Sequence, residues 1–301
     1  MTVLMAAGRM IVIIWLAATL TFFLLRLHPG DAVEAQLIQV GAASDVIAER
    51  RSQLGLLDPL WLQYLRFCAG LLQGNLGVSL ITGQLVSEMI IQRLPPTLEL
   101  AFSAGILGSV LGVLGGVGAA VKLPYGLSWV AKINLSLALS VPIYWSGTMA
   151  LLAVSYALPT GSGAEISRFV LPVLVLAFHM SGAVGQMVST NIRLAMDMDF
   201  VRTAHAKGLR PVIILWRHVL RLGLLPTITV IGLQIGFLLG GAVIIESLFV
   251  RAGLGRLLLE STLQQDYPVV QGIVVLAAAV YAVVLSTCEA LYRLIDPRIT
   301  R

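Results

Sequence analysis

Six stretches of this chain, 10–27, 98–121, 133–158, 169–190, 226–249 and 269–292, are apolar over lengths that suit a membrane-crossing helix. Roughly 20 residues at 1.5 Å each cover the ~30 Å hydrocarbon layer. No water-soluble globule can enclose so many apolar runs. Of the 301 residues, 58% are hydrophobic and only 12% charged, where soluble domains carry about 25% charged residues. The bilayer is therefore the expected solvent, and an all-α polytopic membrane protein with six transmembrane helices the expected fold class. Lipid offers no partner to backbone polar groups, so helices must satisfy them internally. Pro142, in the middle of the third stretch, predicts a kink there.

The first 27 residues read as a retained transmembrane helix. Arg9 precedes the apolar run, and His28-Pro29-Gly30-Asp31 follows it in place of a small-residue cleavage site. The net charge of +5 has its explanation in the loops rather than in nucleic-acid binding. The segment 191–225 holds Arg193, Arg202, Lys207, Arg210, Arg217 and Arg221, whereas 159–168 has only Arg168. With Lys122 and Lys132, and Arg293, Arg298 and Arg301 in a tail at 293–301, the bias predicts that both termini are cytoplasmic. Cys68 and Cys288 lie in unrelated surroundings and imply no disulfide framework.

Residues 28–97 form one long extracytoplasmic loop with its own short helices. Ser44 is a candidate cap for a helix closed by Gly55, and Asp58-Pro59 for a second that Gly74 ends. In the second, Trp61, Leu62, Leu65 and Cys68 share one face, predicted to lie on the membrane surface or against the bundle. Pro95-Pro96 would then mark re-entry into the membrane, opening a core at 98–292. Two glycine ladders, Gly108/Gly112/Gly116 and Gly232/Gly236/Gly240, predict close backbone approach between helices.

The chemistry-bearing segment is Asp199-Phe200-Val201-Arg202-Thr203-Ala204-His205-Ala206-Lys207-Gly208. Asp199 can cap, Lys207 suits the last turn, and Gly208 suits the left-handed position that ends a helix. Pro211 forbids continuation. A projecting helix of two turns results, with small residues at Thr203, Ala204 and Ala206. It either docks in a groove of another protein or merely joins two spans. No GxxxxGK[ST] loop is present, so the chain lacks that device for holding ATP; HExxH and GxSxG are missing too.

The run Arg202-Thr203-Ala204-His205-Ala206-Lys207-Gly208-Leu209, followed by Arg217-His218 and Leu225-Pro226, resembles the cytoplasmic signature of binding-protein-dependent ABC importer permeases. The gap between its glycine and its Leu-Pro resembles the dipeptide/oligopeptide/nickel branch. Leu54-Gly55-Leu56, Leu94-Pro95, Thr97-Leu98-Glu99-Leu100, Asp266-Tyr267-Pro268-Val269-Val270-Gln271-Gly272 and Asp296-Pro297-Arg298-Ile299 extend the likeness along the chain. Ala32, Leu57 and Ala252 depart from residues usual in that branch.

This resemblance implies a Type I importer permease fold in the bacterial inner membrane. It implies a coupling helix at 200–208, seated on an ATPase through Phe200, Arg202, Thr203, Ala204, His205, Lys207 and Gly208. The stretch 212–225, through Arg217, Arg221 and Pro226, would pass the push into the fifth span. The implied partners are a second homologous permease, two ATPase subunits and an extracytoplasmic binding protein, with short peptides as cargo or, alternatively, nickel. No cofactor is expected on the chain, since ATP and Mg belong to the ATPases, and the chain itself is expected to be non-catalytic.

In the fifth span, Glu246 and Gln234 are candidate pathway or gate residues, although Glu246 equally suits the headgroup layer. His179 reads as a packed histidine, because nickel would need several converging ligands. Glu289 and Arg293, four apart, suit a helix-surface pair. An ion-gradient-driven secondary transporter would require embedded charged sites, and intramembrane charge is sparse here.

Overall fold

The computed structural model describes residues 2–27, 32–39, 41–121, 126–157 and 166–295, and these are overwhelmingly helical. In chain order the helices are α1 (Thr2–Leu27), α2 (Ala32–Gln39), α3 (Ser44–Gln53), α4 (Leu60–Leu72), α5 (Val86–Ala120), α6 (Leu127–Ser140) and α7 (Ile143–Ala157). There follow α8 (Leu171–Met196), α9 (Asp199–Ala206), α10 (Pro211–Ile214), α11 (Leu220–Gly241), α12 (Val243–Leu248), α13 (Leu254–Leu263) and α14 (Tyr267–Ile295). Single π-helical turns, Ile166–Val170 and Leu215–Val219, lead into α8 and α11. The expectations for His28–Asp31, Lys122, most of 159–168, the Arg293 side chain and the end of the tail fall outside the described residues.

Four helices are long and apolar enough to cross a membrane singly, Ala7–Leu27, Val86–Ala120, Arg168–Met196 and Tyr267–Leu291. Two bent pairs bring the number to six if each pair is one span. The third span differs most from expectation: α6 and α7 meet at 108°, far beyond a kink. Pro142 supplies the reason. It has no N–H for the Ala138 carbonyl, and it drives Val141 into extended backbone, φ −79 and ψ 129. His179 Nδ1 donates to that freed Ala138 carbonyl at 2.9 Å, and Nε2 pairs with Ser146 Oγ at 2.7 Å. One histidine of α8 thus pins both arms of the break.

Pro95 and Pro96, read as the mark of re-entry into the membrane, fall within a continuous helix. They lie inside α5, whose 35 residues begin at Val86. At about 52 Å, α5 is longer than the hydrocarbon layer is thick.

The chain divides into two compact units, Met1–Thr97 with Ala252–Ala282, and Leu98–Arg251 with Val283–Arg301. The first unit has a core of Val86, Ile90, Leu254, Leu257, Val269 and Ile273. Its α4 packs on α1 through Tyr64 and Phe67, whose rings close over the fully buried Phe22. Of the stripe read from the sequence, Trp61 and Leu65 are exposed and Leu62 and Cys68 half-buried, which suits the membrane-surface alternative for the first two.

Two long-range ties hold this unit's loops. Thr97 Oγ1 accepts the backbone N–H of Leu254 at 2.8 Å, acting as a cap that Gly253 cannot supply to α13. Asp266, almost fully buried, accepts from Ser79 Oγ at 2.5 Å and from the Leu80 N–H at 3.0 Å. Removing a buried carboxylate that holds such charge-assisted bonds strands both donors. Asp266→Ala is expected to destabilise the protein by about 2–3 kcal/mol, with proteolysis appearing first within 76–85. An unchanged melting curve and cleavage pattern would contradict that role.

In the second unit α8 is the central helix, and fifteen of its residues are buried. Gly108, Gly112 and Gly116 of α5 lie against Met180, Val184 and Val188 of α8, so the first ladder is a seam. Gly182 meets Ala138, and Gly232 of the second ladder packs on Cys288 and Val284.

Candidate functional site

The end of α8 turns at Asp197 into α9 (Asp199–Ala206). The helix begins one residue earlier than the sequence suggested. Met198, in extended backbone at ψ 150, is the cap residue, and Asp199 occupies the first turn, where its charge suits the helix dipole. Gly208 ends it as expected, with φ +78. Its N–H donates to the His205 carbonyl, and that of Leu209 donates to Ala204. These two bonds form the Schellman closure, in which a residue with Cβ would be strained.

Two faces of α9 differ sharply. Val201 and Ala204 are buried in the same core as Ile192, Ala195, Ile214 and Val219, and Phe200 is half-buried against it. Arg202, Thr203, His205, Ala206, Lys207 and Gly208 are exposed. Ala204 and Phe200, assigned to the docking surface from sequence, therefore anchor the helix, and the outward ridge consists of the other residues. The Arg202–Asp199 pair, at 3.6 Å and almost fully exposed, adds little stability.

From α9 the chain passes through α10 and the π-helical turn Leu215–Val219 into α11. Arg217 and Arg221 are exposed, as is Trp216. The segments Pro211–Leu224 and Pro226–Leu238 bend by 50° at Pro226. Next to the bend, the Gly223 carbonyl accepts from Asn191 Nδ2 at 3.4 Å and Thr227 Oγ1 at 3.2 Å. A Cβ on Gly223 would lie 3.1 Å from Ile192 Cγ1. Asn191 and Gly223, which no sequence pattern singled out, thus join α11 to α8 two turns before α9. An open recess of about 730 Å³ lies alongside, lined by Val121, Arg193, Asp197, Val212, Leu215 and Trp216.

At the opposite end of α8, α12 ends with Val250 at φ +52, a left-handed conformation that is costly for a β-branched residue. The turn aims Arg251 at Glu99 (3.1 Å) and at the Arg168 carbonyl (2.6 Å). Glu246 is fully buried; Gln234 is half-buried in α11. Glu289 is half-buried in α14. Among the described residues, no three His, Cys, Asp or Glu side chains converge to hold a metal ion.

Comparison with known proteins agrees with this architecture. The profile of the binding-protein-dependent transport system inner membrane component matches residues 75–301, and that of the family's N-terminal region matches residues 3–101. The di/tripeptide transport system permease protein DppB of Pseudomonas aeruginosa (strain UCBPP-PA14) is 34% identical over 93% of each chain. The oligopeptide transport system permease protein AppB of Bacillus subtilis (strain 168) is 33% identical over 93% of each. The glutathione transport system permease protein GsiC of Salmonella paratyphi A (strain ATCC 9150 / SARB42) is 34% identical over 94% of each.

Among solved structures, a chain of the MetNI methionine ABC transporter in an inward-facing conformation superposes with a TM-score of 0.59 at 17% identity. It covers 70% of this chain and 97% of that one. An amino acid ABC transporter crystallised with histidines gives 0.53 at 20%, covering 70% and 94%. These two share the fold, that of Type I ABC importer permeases. The chain belongs to the family of binding-protein-dependent transport system inner membrane components. It is a multi-pass membrane permease subunit of an ATP-driven importer, and a non-catalytic one.

Proposed function

We propose that this permease imports short peptides, paired with a second, homologous permease, driven by two ATPase subunits and fed by an extracytoplasmic binding protein. The observation that carries the mechanism is α9: a foot closed by Gly208, anchored inward by Val201 and Ala204, with an outward ridge of Arg202, Thr203, His205, Ala206 and Lys207. ATPase closure presses on that ridge. Because α9 is keyed into the core beside Ile192 and Ile214, the push moves the end of α8 and α10 together. The Asn191–Gly223 contact and the bend at Pro226 pass it into α11, toward Gln234 and Glu246. Both termini lie in the cytoplasm in this arrangement, with the basic segment 191–225 on the same side.

Peptide cargo is supported by the names of relatives aligned over nearly the full chain. Nickel is the alternative cargo within this branch. Uptake of a labelled dipeptide and of nickel by the complete complex in proteoliposomes separates them. Peptide accumulation that needs ATP and binding protein is expected; nickel uptake without peptide uptake would reverse the assignment.

A further inference from the structure

We propose that the first unit carries a phospholipid-headgroup site, a small cavity that binds an oxyanion at the membrane rim. It goes beyond the transport reading and is independent of the cargo. The cavity measures about 350 Å³; its polar lining is Arg26, Gln63, Arg66, Asn75 and Gln271, and residues 54–56 and 76–78 with Phe67, Gly70, Leu80 and Pro268 complete the wall.

Within this largely apolar wall the hydrogen-bond donors are few and specific. Arg26 donates to Gln63 Oε1 at 3.1 Å and to the Phe22 carbonyl at 3.2 Å, and lies 3.6 Å over the Phe22 ring. It has no carboxylate partner among the described residues, so its charge is held in place but not neutralised. Arg66 is already paired with Asp58. Gln271 is 4% exposed, and its amide nitrogen makes no hydrogen bond among the described residues. A buried amide donor left without a partner is costly. A guanidinium with no carboxylate partner among the described residues, whose electrostatic neighbour is Tyr267, shares the cavity with an idle amide N–H, and an oxygen anion accepting from both suits the pair.

The depth of the site favours lipid as its source. Arg26 is the penultimate residue of the span Ala7–Leu27, and Pro268 the second of Tyr267–Leu291. Span ends lie at headgroup level, so the cavity lies where phosphates are concentrated. On neighbouring α4 the apolar residues Leu60, Trp61, Leu65 and Leu72 are exposed, as expected of a helix resting in an interface.

The test uses the assembled transporter in detergent, titrated with dioleoyl phosphatidylglycerol and read by native mass spectrometry. Gln271→Glu keeps the side-chain size but presents a negative charge, and Arg26→Gln removes the cation. Each is expected to cut retention of one tightly held lipid about tenfold, the worth of one charge-assisted hydrogen bond. Melting temperatures confirm that the variants are folded, and Gln271→Leu provides a neutral variant should either fail. Competition with millimolar inorganic phosphate distinguishes the sources. If phosphate displaces the lipid, the site takes free oxyanions as well; if not, it reads the headgroup. Equal lipid retention by wild type and variants would overturn the proposal. So would loss of binding-protein docking with lipid retention intact, since the anion would then belong to a protein. Peptide uptake can fail without altering any of these readings.

Discussion

Thr203→Trp and Ala206→Trp are expected to leave the protein folded while reducing ATPase stimulation by loaded binding protein about tenfold or more. Both positions lie on the exposed ridge of α9, so a large side chain meets nothing within the chain itself. Exposed substitutions away from packed features alter stability by only about 0.5 kcal/mol. On the partner side the same bulk would prevent a slim helix from seating, and losing ~1.4 kcal/mol of docking energy is a tenfold effect. Ala204→Trp is the contrasting variant. Ala204 is 6% exposed within the core shared with Ile192 and Ile214, so it should fail at folding rather than at coupling. If Thr203→Trp and Ala206→Trp retain full stimulation, α9 is a connector and not a foot.

Gly116→Val is expected to be the most destabilising single change in the second unit. A Cβ at Gly116 would lie 2.5 Å from the Gly185 carbonyl oxygen and 2.7 Å from Val188 Cβ. The obstacle is helix backbone, which cannot rotate aside as a side chain can. In lipid no hydrophobic force draws helices together, so their stability depends on close packing of such seams. Overpacking costs 1–3 kcal/mol and occasionally more; here about 3 kcal/mol is expected, since relief requires moving α5 away from α8. Thermal unfolding of the purified complex measures it. Gly8→Ala, with open space around the added carbon, serves as the control. Equal melting of Gly116→Val and wild type would show that the seam does not hold the unit together.

Helix ends were legible where one residue decides them. Gly55, Gly74 and Gly208 all take positive φ and close their helices, because the left-handed conformation is a local property of glycine. Starts were read less well: α3, α4 and α9 have Ala43, Pro59 and Met198 at the cap, without side-chain hydrogen bonds. Ser44, Asp58 and Asp199 are polar enough to signal a start but do not occupy that position. The stops at Val250 and Gln265 could not be read, since surrounding structure imposes positive φ on residues that disfavour it.

What the sequence could not convey is chiefly long-range. Ser79 and Asp266 are 187 residues apart, Thr97 and Leu254 157, and Glu99 and Arg251 152. No local pattern pairs them. Thr97, Glu99 and Asp266 drew notice only as parts of family-like segments, and their hydrogen bonds supply the physical reason those segments are needed. The 108° break at Pro142 belongs to the same class, because the freed Ala138 carbonyl is taken by His179, 41 residues away. The short helix α9 is legible because its acidic first turn, its small residues and its terminating glycine lie within ten consecutive positions.

The most direct test places a cysteine at Lys207 in the full transporter and asks what that cysteine touches. A disulfide or short cross-link to an ATPase subunit, changing in yield between ATP-bound and nucleotide-free states, is the expected result. Cross-links only to lipid-phase reagents, or labelling from the extracytoplasmic side, would contradict a force-receiving helix in the cytoplasm.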